Sequence, residues 1–190
     1  WDGNSGSTTI TGKSTFNGDY LHITNWSAKV TLNNIAVQET ADAGIVVTTT
    51  EDIALKDVSS NKNDEEGLYL DNAAGTGNIT ISGTNEFSDN GNNGVEIYSA
   101  GDATLSGITA NGNDDDGIDA EIYDSKTLTI TNSTLGSSLA TGNGDDGLDV
   151  ETDGTVILDN ITAVGNDDNG AYVDAGFGEG SLTVSNSTLS

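Results

Sequence analysis

An all-β solenoid is the fold class this sequence predicts, on three observations. A glycine recurs as Gly44, Gly67, Gly94, Gly117, Gly147 and Gly170, at spacings of 23, 27, 23, 30 and 23 residues. Each follows a polar, mostly acidic run and opens a short segment in which apolar and polar residues alternate. A second alternating segment follows in every unit, and two residues past it stands a Gly, Asn or Asp. Units of this length bury their apolar side only against their neighbours in a stack.

The first strand of each unit turns inward Leu21/Ile23, Ile45/Val47, Leu68/Leu70, Val95/Ile97, Ile118/Ala120, Leu148/Val150 and Ala171/Val173, as a strand with one buried face should. The second carries Val30/Leu32, Ile53/Leu55, Ile79/Ile81, Ala103/Leu105, Leu128/Ile130, Val156/Leu158 and Leu182/Val184, and the N-terminal segment adds Thr8/Ile10. The corners Gly12, Asn34, Asp57, Gly83, Gly107, Asn132, Asn160 and Asn186 are residue types that tolerate left-handed backbone angles. A bend there leads into a third segment pointing Phe16, Ile35, Val58, Phe87, Ile108, Leu135, Ile161 or Leu189 inward. Longer units add residues near Ala73–Gly77, Tyr123–Lys126 and Gly136–Thr141, at corners, where insertions leave the stack intact. Asn63, Asn90, Asn113, Asn143 and Asn166 stand four residues before a marker glycine. They predict a ladder of side-chain amides bonded from coil to coil. Trp1 and Trp26 are expected to cover apolar surface of the first coils. Three strands per coil, each stacked on its counterpart, make a parallel β-helix. No 3.6-residue apolar stripe argues for helices instead.

At this point the residues carry a family resemblance. The unit Asn-x-x-x-Gly-φ-x-φ, followed by φ-x-φ-x-(Asn/Gly/Asp), with φ an apolar residue, resembles the right-handed parallel β-helix repeat of the pectin-lyase-like superfamily. It is especially similar to the degenerate repeats of large secreted and surface-attached bacterial proteins. The resemblance covers nearly the whole chain. It implies one β-helix domain, residues 1–190, of about seven coils with incomplete coils at both ends. It also implies a secreted or cell-surface location. The fold hosts lyases, hydrolases, adhesins and passive stalks alike.

Composition narrows the function. Asp and Glu number 31 against five lysines and no arginine, a formal charge of −26. Nucleic acids and anionic membranes, which need basic footprints, are excluded as partners, and no run approaches a membrane-spanning length. Without cysteine there are no disulfides or thiolate metal sites. Without methionine the chain reads as a processed or excerpted piece. Both ends fall inside a coil, so self-association end to end into a fibre, or continuation in a longer array, is expected to cover the open strand edges.

The outward residues of the first strands form two columns. One runs His22, Val46, Tyr69, Glu96, Asp119, Asp149, Tyr172; the other runs Thr24, Thr48, Asp71, Tyr98, Glu121, Glu151, Asp174. Coils lie about 4.8 Å apart, so Asp119, Glu121, Asp149 and Glu151 form a block of carboxylates. The turns contribute Asp114 and Asp116, Asp145 and Asp146, and Asp167 and Asp168. Like charges this close are destabilising. One reading is a solvated acidic face screened by salt. The other is Ca²⁺ bridging between coils, since calcium takes several carboxylate and carbonyl oxygens. Catalysis is not expected. Polygalacturonase-like members share Asn-Thr-Asp, Gly-His-Gly and Arg-x-Lys motifs that this chain lacks, and its carboxylates recur in every coil. The function expected is a non-catalytic structural segment, adhesive or fibre-forming. The alternative is a polysaccharide-binding or polysaccharide-degrading β-helix, with Tyr69, Tyr98 and Tyr172 as the exposed rings that would meet a glycan or cell-surface partner.

Overall fold

A computed structural model describes residues 8–18, 20–176 and 180–190, with side chains outside 8–17. The expected inward side chains of Thr8, Ile10 and Phe16, and the place of Trp1, lie outside the described set. All described regular structure is β-strand. A seven-stranded parallel sheet stacks Leu21–Trp26, Ile45–Thr49, Leu68–Asp71, Val95–Ser99, Ile118–Ile122, Leu148–Thr152 and Tyr172–Asp174 in chain order. Consecutive members are one coil apart, so the chain climbs the stack one rung at a time.

The second and third segments of each coil share one 12-stranded sheet. In Val30–Gln38, Thr127–Ser137 and Thr155–Val164 they merge into single bent strands. At their corners Asn34, Asn132 and Asn160, at φ of 54°, 51° and 56°, turn the chain within one residue. Asp57, Gly83, Gly107 and Asn186 are left-handed too. Gly12 sits where the strand Thr8–Asn17 shifts register against its neighbour, between Thr11 and Ser14. A further left-handed column, not read from the sequence, comprises Glu39, Lys62, Asp89, Gly112 and Gly165, each directly before the ladder position.

The core is a continuous column of the inward residues. Leu68, Leu70, Ile79, Ile81, Phe87 and Leu105 are wholly buried, each removing enough apolar surface to contribute about 1.5–3 kcal/mol. Leu182 and Val184 differ from expectation, at 52% and 46% exposure. The described residues supply no coil to stack over them. Trp26 packs against the core partly buried, as expected.

The asparagine ladder is complete. Nδ2 of Asn63 donates to Oδ1 of Asn90 (2.9 Å), and Asn90 to Asn113, Asn113 to Asn143 and Asn143 to Asn166 follow at 3.0 Å each. Each Oδ1 also accepts the backbone N–H of the rung before it, for example Asn90 N–H to Asn113 Oδ1 at 3.1 Å. Nδ2 also donates to a backbone carbonyl, Ser60 from Asn90, Phe87 from Asn113, Ala110 from Asn143 and Leu135 from Asn166, while Asn63 Nδ2 donates to Ser60 Oγ. Thr40 Oγ1 caps the series on Asn63 Oδ1 at 3.0 Å. Buried amides this well paired carry no desolvation penalty from unmet partners.

The ladder explains the marker glycine. A Cβ on Gly94 would lie 2.7 Å from Asn113 Nδ2, from the Gly117 carbonyl oxygen and from the Phe87 carbonyl oxygen. Gly67, Gly117 and Gly147 would meet Asn90, Asn143 and Asn166 Nδ2 at 2.7, 2.8 and 2.5 Å. The glycine is therefore a close-approach residue that lets the amide of the next rung pass. Gly94→Ala is expected to destabilise the protein by about 1–3 kcal/mol or more through overpacking. Asn113→Ala, which leaves Asn90 N–H and Nδ2 without their acceptor, is expected to cost a similar amount. Urea unfolding followed by circular dichroism measures both.

Candidate cation-binding face

The seven-stranded sheet positions the acidic block, because its outward residues stand in register. Glu96 pairs with Asp119, Asp119 with Asp149, and Asp149 with Tyr172. Tyr98 pairs with Glu121, Glu121 with Glu151, and Glu151 with Asp174. The predicted columns hold from His22 and Thr48 onward. Thr24 does not pair with Thr48, because Asn25 at φ 55° makes a bulge there and its N–H donates to Thr48 Oγ1.

Burial and mutual repulsion act together on this face. Asp119 is pushed up to about 7, by desolvation first and then by Glu96 and Asp149. Glu96 and Asp149 are also raised, again chiefly by burial. Among the described residues, Asp149 Oδ1 is buried without a hydrogen-bond partner.

The acidic turns stack beside the block and draw their carboxylates closer still. The residues before Gly94, Gly117 and Gly147 form a second column of accepting side chains. Asp116 N–H donates to Asn93 Oδ1 (2.9 Å), Asp146 N–H to Asp116 Oδ1 (2.8 Å) and Asn169 N–H to Asp146 Oδ1 (2.6 Å). Asp116 and Asp146 are only 8% and 6% exposed, and desolvation pushes Asp116 up to about 7. Around them two trios converge: Asp115, Asp116 and Asp145, then Asp145, Asp146 and Asp168, each with oxygens within 4.8 Å of one another. Of the turn residues singled out in the sequence, Asp116, Asp145, Asp146 and Asp168 meet in these trios, and Asp114 and Asp167 belong to neither. Asp115 was missed. Nothing in a run of three aspartates says which one faces the next coil.

A trio of carboxylates can supply part of the six to eight oxygens that calcium takes, water completing the shell. Asp145, shared by both trios, would bridge two ions. The strand block, by contrast, is strung along the stack, and none of Asp119, Glu121, Asp149 or Glu151 enters a trio.

The tyrosines do not form one platform. The Tyr69 and Tyr98 rings lie 5.8 Å apart, tilted by 47°, and Tyr98 Oη donates to Glu96 Oε1 at 2.7 Å. Tyr172, 49% exposed, stands on the strand beyond Leu148–Thr152, away from that pair.

With the geometry in hand, comparison with known proteins gives the class. The family model for the right handed beta helix region matches residues 73–190, more than half of the chain. The chain belongs to that family. No curated protein and no solved structure matches it.

The raised carboxylates fix the sign of the pH dependence. Asp116 and Asp119 bind protons more tightly folded, at about 7, than at their ordinary 3.8. Across that window the folded chain holds more protons than the unfolded one, so stability falls as pH rises. Asp116→Asn keeps an acceptor for Asp146 N–H and removes the charge. In chelator-treated protein its melting temperature is expected to exceed the parent's near pH 8 and to change less between pH 4 and pH 8, measured by thermal melts.

Proposed function

We propose that this chain is a rigid, non-catalytic structural segment of an extracellular or cell-surface protein, with acidic turns that bind calcium between coils. One observation carries the reading: carboxylates occupy a buried column that amides fill elsewhere in the same stack. Asn93, Asp116 and Asp146 form one series of backbone-accepting side chains, in which the amide of Asn93 does on its coil what the two carboxylates do on the next two. An amide would serve that backbone bond without charge. The two aspartates retained there, with Asp115, Asp145 and Asp168 converging on them, suit a cation bound to the oxygens left over.

One feature supports a structural role. His22 lies on Leu21–Trp26, separated along the stack from Asp119 and Asp149. The extracellular placement rests on the likeness of the repeat to secreted and surface-attached proteins.

Calcium at a hundred times its dissociation constant is expected to add about 2.7 kcal/mol of stability. Chelation should lower the melting temperature of the parent, calcium should restore it, and Asp145→Asn should abolish the response. An unfolding curve indifferent to both chelator and calcium removes the calcium reading. Release of reducing ends or unsaturated products from polygalacturonate removes the non-catalytic one.

A further inference from the structure

At the edge of the seven-stranded sheet a groove of 360 Å³ is lined by Glu121, Tyr123, Glu151, Asp174 and, beneath them, Ile122 and Thr152. It exists because the insertion after Ile118–Ile122 overhangs the next coil. Asp124 and Ser125, both left-handed at φ 57° and 53°, fold the insertion back. Asp153 then fastens it, accepting Ser125 N–H at 2.7 Å and Ser125 Oγ at 3.1 Å. Tyr123 Oη donates to Glu121, which fixes the ring as one wall of the groove. The ring remains 40% exposed.

The groove is larger than a bare ion needs and falls within the range of about 300–1,000 Å³ typical of small-molecule sites. Its charge is of one sign. Asp124 and Asp153 also line it, and no lysine or histidine does. Glu121, Glu151 and Asp174 lie in register on successive strands, so their carboxylates repeat about every 4.8 Å. They belong to neither converging trio, so they offer a line of charges and not a coordination shell.

We propose that this groove binds a linear polyamine, its ammonium groups on successive carboxylates and its alkyl spacers against the Tyr123 ring. A trimethylene spacer separates two ammonium nitrogens by about one strand spacing, so charge and register match together. The ring face adds cation–π attraction for the ammonium nearest it. Glu151 carries most of the recognition, since it stands between Glu121 and Asp174. The proposal is independent of calcium at the turns, which uses other carboxylates.

Calorimetric titration of chelator-treated protein at low salt tests it, with norspermidine as probe and bis(hexamethylene)triamine as the control of equal charge and longer spacer. One molecule of norspermidine per chain is expected, bound about fivefold or more tightly than the control. Glu151→Gln and Tyr123→Ala, both at exposed positions, should each weaken it about fivefold. Glu86→Gln, exposed on the other sheet, should leave it unchanged. Several molecules bound per chain, equal affinity for both triamines, or indifference to Glu151→Gln would each overturn the proposal in favour of a diffuse counterion atmosphere.

Discussion

The structure depends on one close approach: the side-chain amide of each ladder asparagine passes where the Cβ of the preceding coil's marker residue would be. The amides repeat at the strand spacing, so their hydrogen bonds and those of the sheets are satisfied by the same rise per coil. A side chain on Gly67 or Gly94 would force the coils apart and strain both at once. Register follows from this. With the turn pinned at the ladder, Val95 has no choice but to sit on Leu68 and Ile118 on Val95. The outward columns inherit the same alignment.

Much of this was legible because the constraints are local and repeated. The alternation of Leu68 with Leu70, or of Ile79 with Ile81, states which face is buried without reference to anything distant. The corners were legible from residue type, since Asn34, Asn132 and Asn160 each take the left-handed angle that Asn tolerates. Glu39 and Lys62 take the same angle with side chains that give no hint of it. Thr24 leaves its column because Asn25, at φ 55°, bulges the strand. Which aspartate of a run converges with its neighbours depends on coil geometry, so Asp115 was hidden while Asp116 was not.

The acidic face has a structural origin that precedes any function. Before Gly94, Gly117 and Gly147 the side chain accepts the N–H of its counterpart on the next coil, a bond that Asn and Asp can both supply. They differ only in charge. In an isolated loop that difference would be screened by water, but here the carboxylates of Asp116 and Asp146 are held one rung apart and nine-tenths buried. The backbone hydrogen bond cannot be lengthened to separate them, because the ladder beside it sets the rise.

Such a stack has two ways to relieve the repulsion: bind a proton or bind a cation. Burial first, and the neighbouring carboxylates after it, raise Asp116 and Asp119 to about 7, which expresses the first. A cation bound at the trios would supply the second and, by favouring the ionised form, would return Asp116 toward its ordinary range. Proton and cation would therefore compete for the Asp116 oxygens. The rigidity that makes the repulsion unavoidable also removes most of the ordering cost of a cation site, because the carboxylates are positioned before any ligand arrives. A scaffold that cannot relax its charges is, for that reason, well prepared to bind whatever neutralises them.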